Sequence, residues 1–85
     1  MNYTLVYTHR AEKDIKKLEP AIKHQIEKAL LKLQDNPLGL SEKLTDPKIG
    51  TYRFRIGDYR IIFDIEGSDI VILRVGHRKE IYRKI

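Results

Sequence analysis

From Ala11 the apolar positions of this chain recur at helical spacing, and from Thr51 they recur every second residue. Ala11, Ile15 and Leu18 stand at i, i+4 and i+7, which predicts a short helix with one narrow apolar stripe. Thr8 sits at its N-cap position, and Glu12 and Lys16 form an i,i+4 pair on its outer side. Pro20 stops that helix and, being tolerated in a first turn, opens the next. Ile22, Ile26, Ala29, Leu30 and Leu33 mark this second helix. It is expected to end near Asn36, because Pro37 disfavours helix before itself and Gly39 follows. So short a link predicts an antiparallel helical hairpin. Ahead of it, Tyr3 to Tyr7 reads as a first strand.

Residues 37–50 read as a loop punctuated by Pro37, Gly39, Pro47 and Gly50. Beyond it, Thr51–Ile56, Tyr59–Ile65 and Ile70–Val75 read as three strands, with turns at Gly57-Asp58 and Gly67-Ser68. The fold class is therefore α+β, in the order β-α-α-β-β-β, an antiparallel sheet with the helical hairpin packed on one face. Alternation assigns Tyr52, Phe54, Ile56, Ile61, Phe63, Val71, Leu73 and Val75 to the helix-covered face. Arg53, Arg55, Arg60 and Arg74 take the opposite parity, so four guanidiniums are expected on an uncovered face that only Asp64 clearly shares.

Composition sharpens this picture. At 85 residues the chain has room for one domain, 1–85, and without cysteine its core must be stable without disulfides. Cysteine-free composition and the lack of a signal-peptide pattern before Tyr3 suit a cytoplasmic protein, and no apolar run is long enough for a membrane helix. The net charge is +5, unevenly spread. Residues 1–47 hold eight Lys and Arg against seven Asp and Glu, while residues 48–85 hold nine against five. Six of the seven arginines fall between residues 53 and 83. Guanidinium is always charged and its planar fork matches phosphate oxygens two at a time, so the strand half reads as a phosphate-holding surface. The simplest partner is a nucleic acid. His9, His24 and His77 are too scattered for a zinc site, and no cofactor motif is present.

Two motifs carry a resemblance. Tyr52-Arg53-Phe54-Arg55-Ile56-Gly57-Asp58-Tyr59-Arg60-Ile61-Ile62 resembles the central hairpin of the RelE/ParE toxin superfamily, and Val75-Gly76-His77-Arg78-Lys79-Glu80-Ile81-Tyr82 resembles its C-terminal motif. Element order and length are similar across essentially the whole chain. The resemblance implies the toxin of a type II toxin–antitoxin system, held inactive by a cognate RelB-like antitoxin. For the RelE branch it implies a metal-independent endoribonuclease that cleaves mRNA in the ribosomal A site. The ParE branch, similar in fold, inhibits DNA gyrase, and fold alone does not separate the two. A noncatalytic RNA-binding module would explain the charge but not the paired motifs.

By resemblance the family's basic hairpin pair falls on Arg53 and Arg55, its arginine after the turn on Arg60, its basic residue after the last strand on Arg78, and its C-terminal tyrosine on Tyr82. RNA cleavage by 2′-hydroxyl attack needs added negative charge on phosphorus to be stabilised, a task that suits Arg55, Arg60 and Arg78. Arginine is a poor base, so proton transfer falls to His77 or Tyr82. His77 is preferred because an imidazole, with a reference pKa of about 6.5, serves either role near neutral pH. Tyr82 can instead stack on a base, whereas parity assigns Tyr59 to the core. Arg53 and Arg74 on the open face, and Lys79, Arg83 and Lys84 near the end, are expected to bind RNA.

Overall fold

Thr8 opens the helical layer as its position predicts: its Oγ1 accepts the Ala11 N–H at 3.1 Å and donates to the Ile72 carbonyl at 3.0 Å. The same side chain thus caps a helix and pins it to the sheet. In the computed structural model, which describes residues 3–45 and 49–82, the elements run β1 (Thr4–Tyr7), α1 (His9–Lys16), α2 (Pro20–Asp35), α3 (Pro37–Leu40), β2 (Glu42–Lys43), β3 (Tyr52–Ile56), β4 (Tyr59–Glu66) and β5 (Asp69–His77). Pro20 stands in the first turn of α2, and α2 stops at Asp35. Two small elements, α3 and β2, occupy part of the segment that the sequence presents as loop. Asn36 caps α3 through its Oδ1, which accepts the Gly39 N–H at 3.2 Å.

The sheet order is β1-β5-β4-β3-β2. The β5–β4 and β4–β3 joints are antiparallel, as expected, and so is the unexpected β3–β2 joint, but β1 runs parallel to β5, with Leu5 beside Ile70. A parallel joint needs a long crossover, and here the helices and the β2–β4 segment supply it. Gly57 and Gly67 adopt φ of 57° and 62° at the first position of their two-residue turns, which favours glycine.

One buried cluster joins Ala11 of α1, Ile26, Ala29, Leu30 and Leu33 of α2, and Ile61, Phe63, Ile70, Ile72 and Val75 of the sheet. Each large side chain buried there contributes about 1.5–3 kcal/mol. Tyr52, Phe54, Ile56 and Tyr59 pack around it as alternation predicts. Val71 and Leu73 do not belong to it; Ile70 and Ile72 do. The reason is a bulge: Ile62 pairs with Arg74 but Phe63 pairs with Ile72, so Leu73 is an extra residue in β5. Strand parity flips there, and Ile72 and Val75 both point at the helices.

The second face is not open. Ile62 and Ile81 are buried but lie outside the helix-side cluster. A Cβ placed on Gly50 would lie 2.6 Å from Ile62 Cγ2 and 2.9 Å from Leu73 Cδ1, so the loop before β3 rests on this face. A Cβ on Gly76 would meet the Ile81 side chain at 3.7 Å, so the turn after β5 folds back over the sheet. Asp64 is committed here, accepting the Thr51 N–H at 2.7 Å. None of the described helices is long and apolar enough to cross a membrane.

Candidate nucleic-acid interface

The β3–β4 register sets the charge pattern. Arg55 pairs directly with Arg60, and Arg53 with Ile62. Two guanidinium-bearing residues therefore stand opposite one another on one face, an arrangement that costs a fraction of a kcal/mol up to about 1 kcal/mol in a sheet. Glu42 offsets part of that cost. It pairs with Arg53 across the β2–β3 joint, and its carboxylate lies 3.2 Å from Arg55 Nε and 3.6 Å from Arg53 Nη2. Arg60 has no carboxylate partner among the described residues. Its Nη1 donates to the Gly57 and Tyr59 carbonyls, both at 2.8 Å, which bends the guanidinium toward the turn.

Arg78 reaches the same turn from the end of β5. Its N–H donates to the Asp58 carbonyl at 2.7 Å, and its Nε to Asp58 Oδ1 at 3.3 Å. Sequence position puts Asp58 at a turn, away from the arginines; the structure makes it the partner of Arg78. The pair is exposed on both sides, so it holds Arg78 only weakly. Tyr82 arrives on the turn that buries Ile81, and its hydroxyl accepts from Arg53 Nη1 at 3.2 Å. That hydrogen bond holds the Arg53 pKa above its ordinary value, against partial burial, which lowers it. Arg53, Arg55, Arg60, Arg78 and Tyr82 are thus gathered around one hairpin.

Two expected members are not gathered there. His77 pairs with Tyr59, and their rings meet edge-on with centroids 5.3 Å apart. Tyr59 packs against the helix-side core, so His77 belongs to that face; its Nδ1 accepts the Lys79 N–H at 3.1 Å. Together they line a groove of about 670 Å³ along the β5 edge, bounded by α1 and the start of α2. Arg74, expected to project from the open face, reaches round the β5 edge instead. Its Nε and Nη2 donate to the two oxygens of Asp14 at 2.9 and 3.3 Å, and Asp14 Oδ2 also accepts the Val75 N–H at 3.0 Å. Past Tyr7, β5 has no β1 neighbour, and Asp14 satisfies the exposed edge. Lys79 is exposed in the turn after β5. Arg83 and Lys84 lie outside the described residues.

Sequence reasoning missed Asp14 and Glu42. Asp14 carried a signal: it stands at i+3 on the Ala11–Ile15–Leu18 stripe, and a carboxylate on an apolar stripe requires a partner. Glu42 carried none, because a two-residue strand has no period to read.

Comparison with known proteins adds independent findings. Residues 5–82 match the family model described as ParE toxin of type II toxin-antitoxin system, parDE. The chain is 39% identical over 87 residues to Toxin RelG of Mycobacterium tuberculosis, covering 99% of this chain and 100% of that protein. It is 35% identical over 74 residues to Toxin RelE3 of Methanocaldococcus jannaschii, covering 82% and 84%. Among solved structures, the toxin-antitoxin complex RelBE2 of Mycobacterium tuberculosis contains a chain that superposes with a TM-score of 0.83 at 33% identity, over 92% of this chain and 100% of that one.

Proposed function

Since this chain belongs to the RelE/ParE toxin superfamily of type II toxin–antitoxin systems, we propose that it is a ribosome-dependent endoribonuclease that cuts mRNA in the A site and so stops translation. The observation that carries this reading is the direct opposition of Arg55 and Arg60, with Arg78 at the adjoining turn. Like charges held face to face are costly in the free protein and favourable once a phosphate lies between them. In the reaction the substrate's 2′-hydroxyl oxygen bonds to phosphorus and gives up its proton to solvent water. The bond to the 5′-oxygen then breaks, and that oxygen leaves with the electron pair and takes up a proton. The three arginines stabilise the extra negative charge on phosphorus without a metal ion, a contribution worth roughly 10²–10³ in rate per donor.

For the proton donated to the 5′-oxygen, geometry favours Tyr82 over His77. Tyr82 contacts Arg53 on the arginine face, while His77 packs on Tyr59 on the other. A partner of RelB type, supplying acidic or apolar segments, would compete with RNA for the same guanidiniums, and ribosome-bound action places the protein in the cytoplasm. Toeprinting of an mRNA on ribosomes, with and without the protein, tests the reading: new A-site ends are expected. The matched family's ParE name supports a second reading, gyrase inhibition. Loss of DNA supercoiling with intact mRNA would establish it in place of the first.

A further inference from the structure

Of the three arginines on the β3–β4 hairpin, Arg53 is built differently. Its side chain is 23% exposed, against 56% for Arg55. Its Nε is buried with no hydrogen-bond partner among the described residues, and its stem stands opposite buried Ile62. The rest of its fork faces protein groups: Nη1 donates to the Tyr82 hydroxyl at 3.2 Å, and Nη2 lies 3.6 Å from the Glu42 carboxylate, an ion-pair distance. A phosphate reaching this fork would find Nε buried and would compete with the Tyr82 hydroxyl and Glu42 for the two remaining nitrogens. We infer that Arg53 is a positioning residue that holds the Tyr82 hydroxyl over the arginine face, and that it is not a phosphate contact.

The chemistry of the contact fixes its direction. Guanidinium has donors and no acceptor, so the phenol oxygen must accept. The phenol hydrogen is then left to point away from Arg53, available to a substrate oxygen. The turn supplies the other constraint, since the Glu80 and Ile81 N–H groups both donate to the His77 carbonyl at 2.9 Å and the Ile81 side chain is buried. Tyr82 is thus fixed by its neighbour in the chain and by Arg53 at its hydroxyl. Glu42 lies between Arg53 and Arg55, on the side of the Arg53 fork away from Nη1 and the tyrosine.

This role rests on the endoribonuclease reading, and the test separates the two. Single-turnover cleavage on ribosomes is compared for wild type, Arg53→Gln, Tyr82→Phe and the double variant. Expected is a loss of roughly tenfold for Arg53→Gln in the wild-type background, equivalent to about 1.4 kcal/mol, and of less than about twofold in the Tyr82→Phe background. Binding to the ribosome–mRNA complex at several salt concentrations should keep its slope, whereas loss of a phosphate contact reduces the slope by about one. A ribosome-free arm uses protein labelled with 3-fluorotyrosine. The resonance missing from Tyr82→Phe should move in Arg53→Gln while the other tyrosine resonances hold, which also reports that the variant is folded. Additive losses, a reduced salt slope or an unmoved resonance at position 82 would each overturn the inference. A resonance that moves in Arg53→Gln, together with a wild-type protein that never cuts mRNA, would overturn the endoribonuclease reading and leave the Arg53–Tyr82 contact established.

Discussion

Arg60→Ala should abolish most cleavage and leave the fold nearly untouched. Truncation removes two hydrogen bonds from Arg60 Nη1, to the Gly57 and Tyr59 carbonyls at a solvent-facing turn. Each such bond is worth about 0.5–1.5 kcal/mol when buried, and less here because water replaces the donor. The same truncation removes the like charge directly opposite Arg55, a gain of up to about 1 kcal/mol. No carboxylate is orphaned, since none of the described acidic residues pairs with Arg60. The two effects offset, and a net change within about 1 kcal/mol is expected.

Cleavage behaves differently, because nothing else on the face replaces a donor with no carboxylate partner. Loss of one preorganised electrostatic stabiliser costs roughly 10²–10³ in rate. Urea denaturation of the purified variant and single-turnover cleavage on programmed ribosomes read the two effects separately. A midpoint shift corresponding to more than about 2 kcal/mol would show that Arg60 is a structural residue. Unchanged cleavage in a stable variant would refute the placement of the phosphate between Arg55 and Arg60.

Asp14→Ala should be the reverse case: it strands the partly buried Arg74 and the Val75 N–H, and a stability loss of about 2–3 kcal/mol is expected in urea, with less than about 0.5 kcal/mol pointing to a dispensable pair. Gly50→Ala forces a Cβ to within 2.6 Å of Ile62 at a φ of 147°, so a loss of about 2 kcal/mol or more should appear in thermal melts. Burial and then Glu27 hold the Tyr7 phenol above its ordinary 10.0, so the unfolded chain releases this proton first. The Tyr7 contribution is complete below pH 10.0 and declines as pH rises toward the raised folded value; Tyr7→Phe should flatten that alkaline limb, and an identical limb would exclude Tyr7 as its cause.

What was legible in the sequence was local. The helix stripes, the Thr8 cap, the Pro20 restart and the Gly57 and Gly67 turns each depend on a few neighbouring residues, and all appear where periodicity puts them. The shared face of Arg53, Arg55 and Arg60 followed from alternation across one tight turn. What failed was long-range or degenerate. Ile70, Val71, Ile72 and Leu73 are all apolar, so alternation cannot tell which pair faces inward, and a bulge at Leu73 reverses the answer. The parallel placement of β1 beside β5 joins opposite ends of the chain, and no local pattern encodes it. The face opposite the helices looks bare in the sequence because its cover, Ile81 and the Gly50 loop, comes from segments with no period of their own.

Strand parity separates the two candidates for proton transfer. Val75 points at the helices, and His77, two residues on, must share its face. Gly76, between them, pairs with Arg60 and takes the opposite face. A straight β5 therefore cannot bring His77 to the arginines, whatever the distance along the chain. The return is made after the strand ends, by a turn whose N–H groups fold back on the His77 carbonyl and whose Ile81 packs over Gly76. Only a residue beyond that turn can reach β3 on the charged face, and Tyr82 does so at Arg53. A Cβ at position 76 would touch Ile81 at 3.7 Å, an ordinary van der Waals contact, so the turn lies directly over this point of the strand. His77 keeps a structural part, accepting the backbone N–H groups that turn the chain. If the protein cuts RNA as proposed, the acid chemistry of the charged face would fall to a phenol held by a guanidinium, with the imidazole on the other side of the sheet.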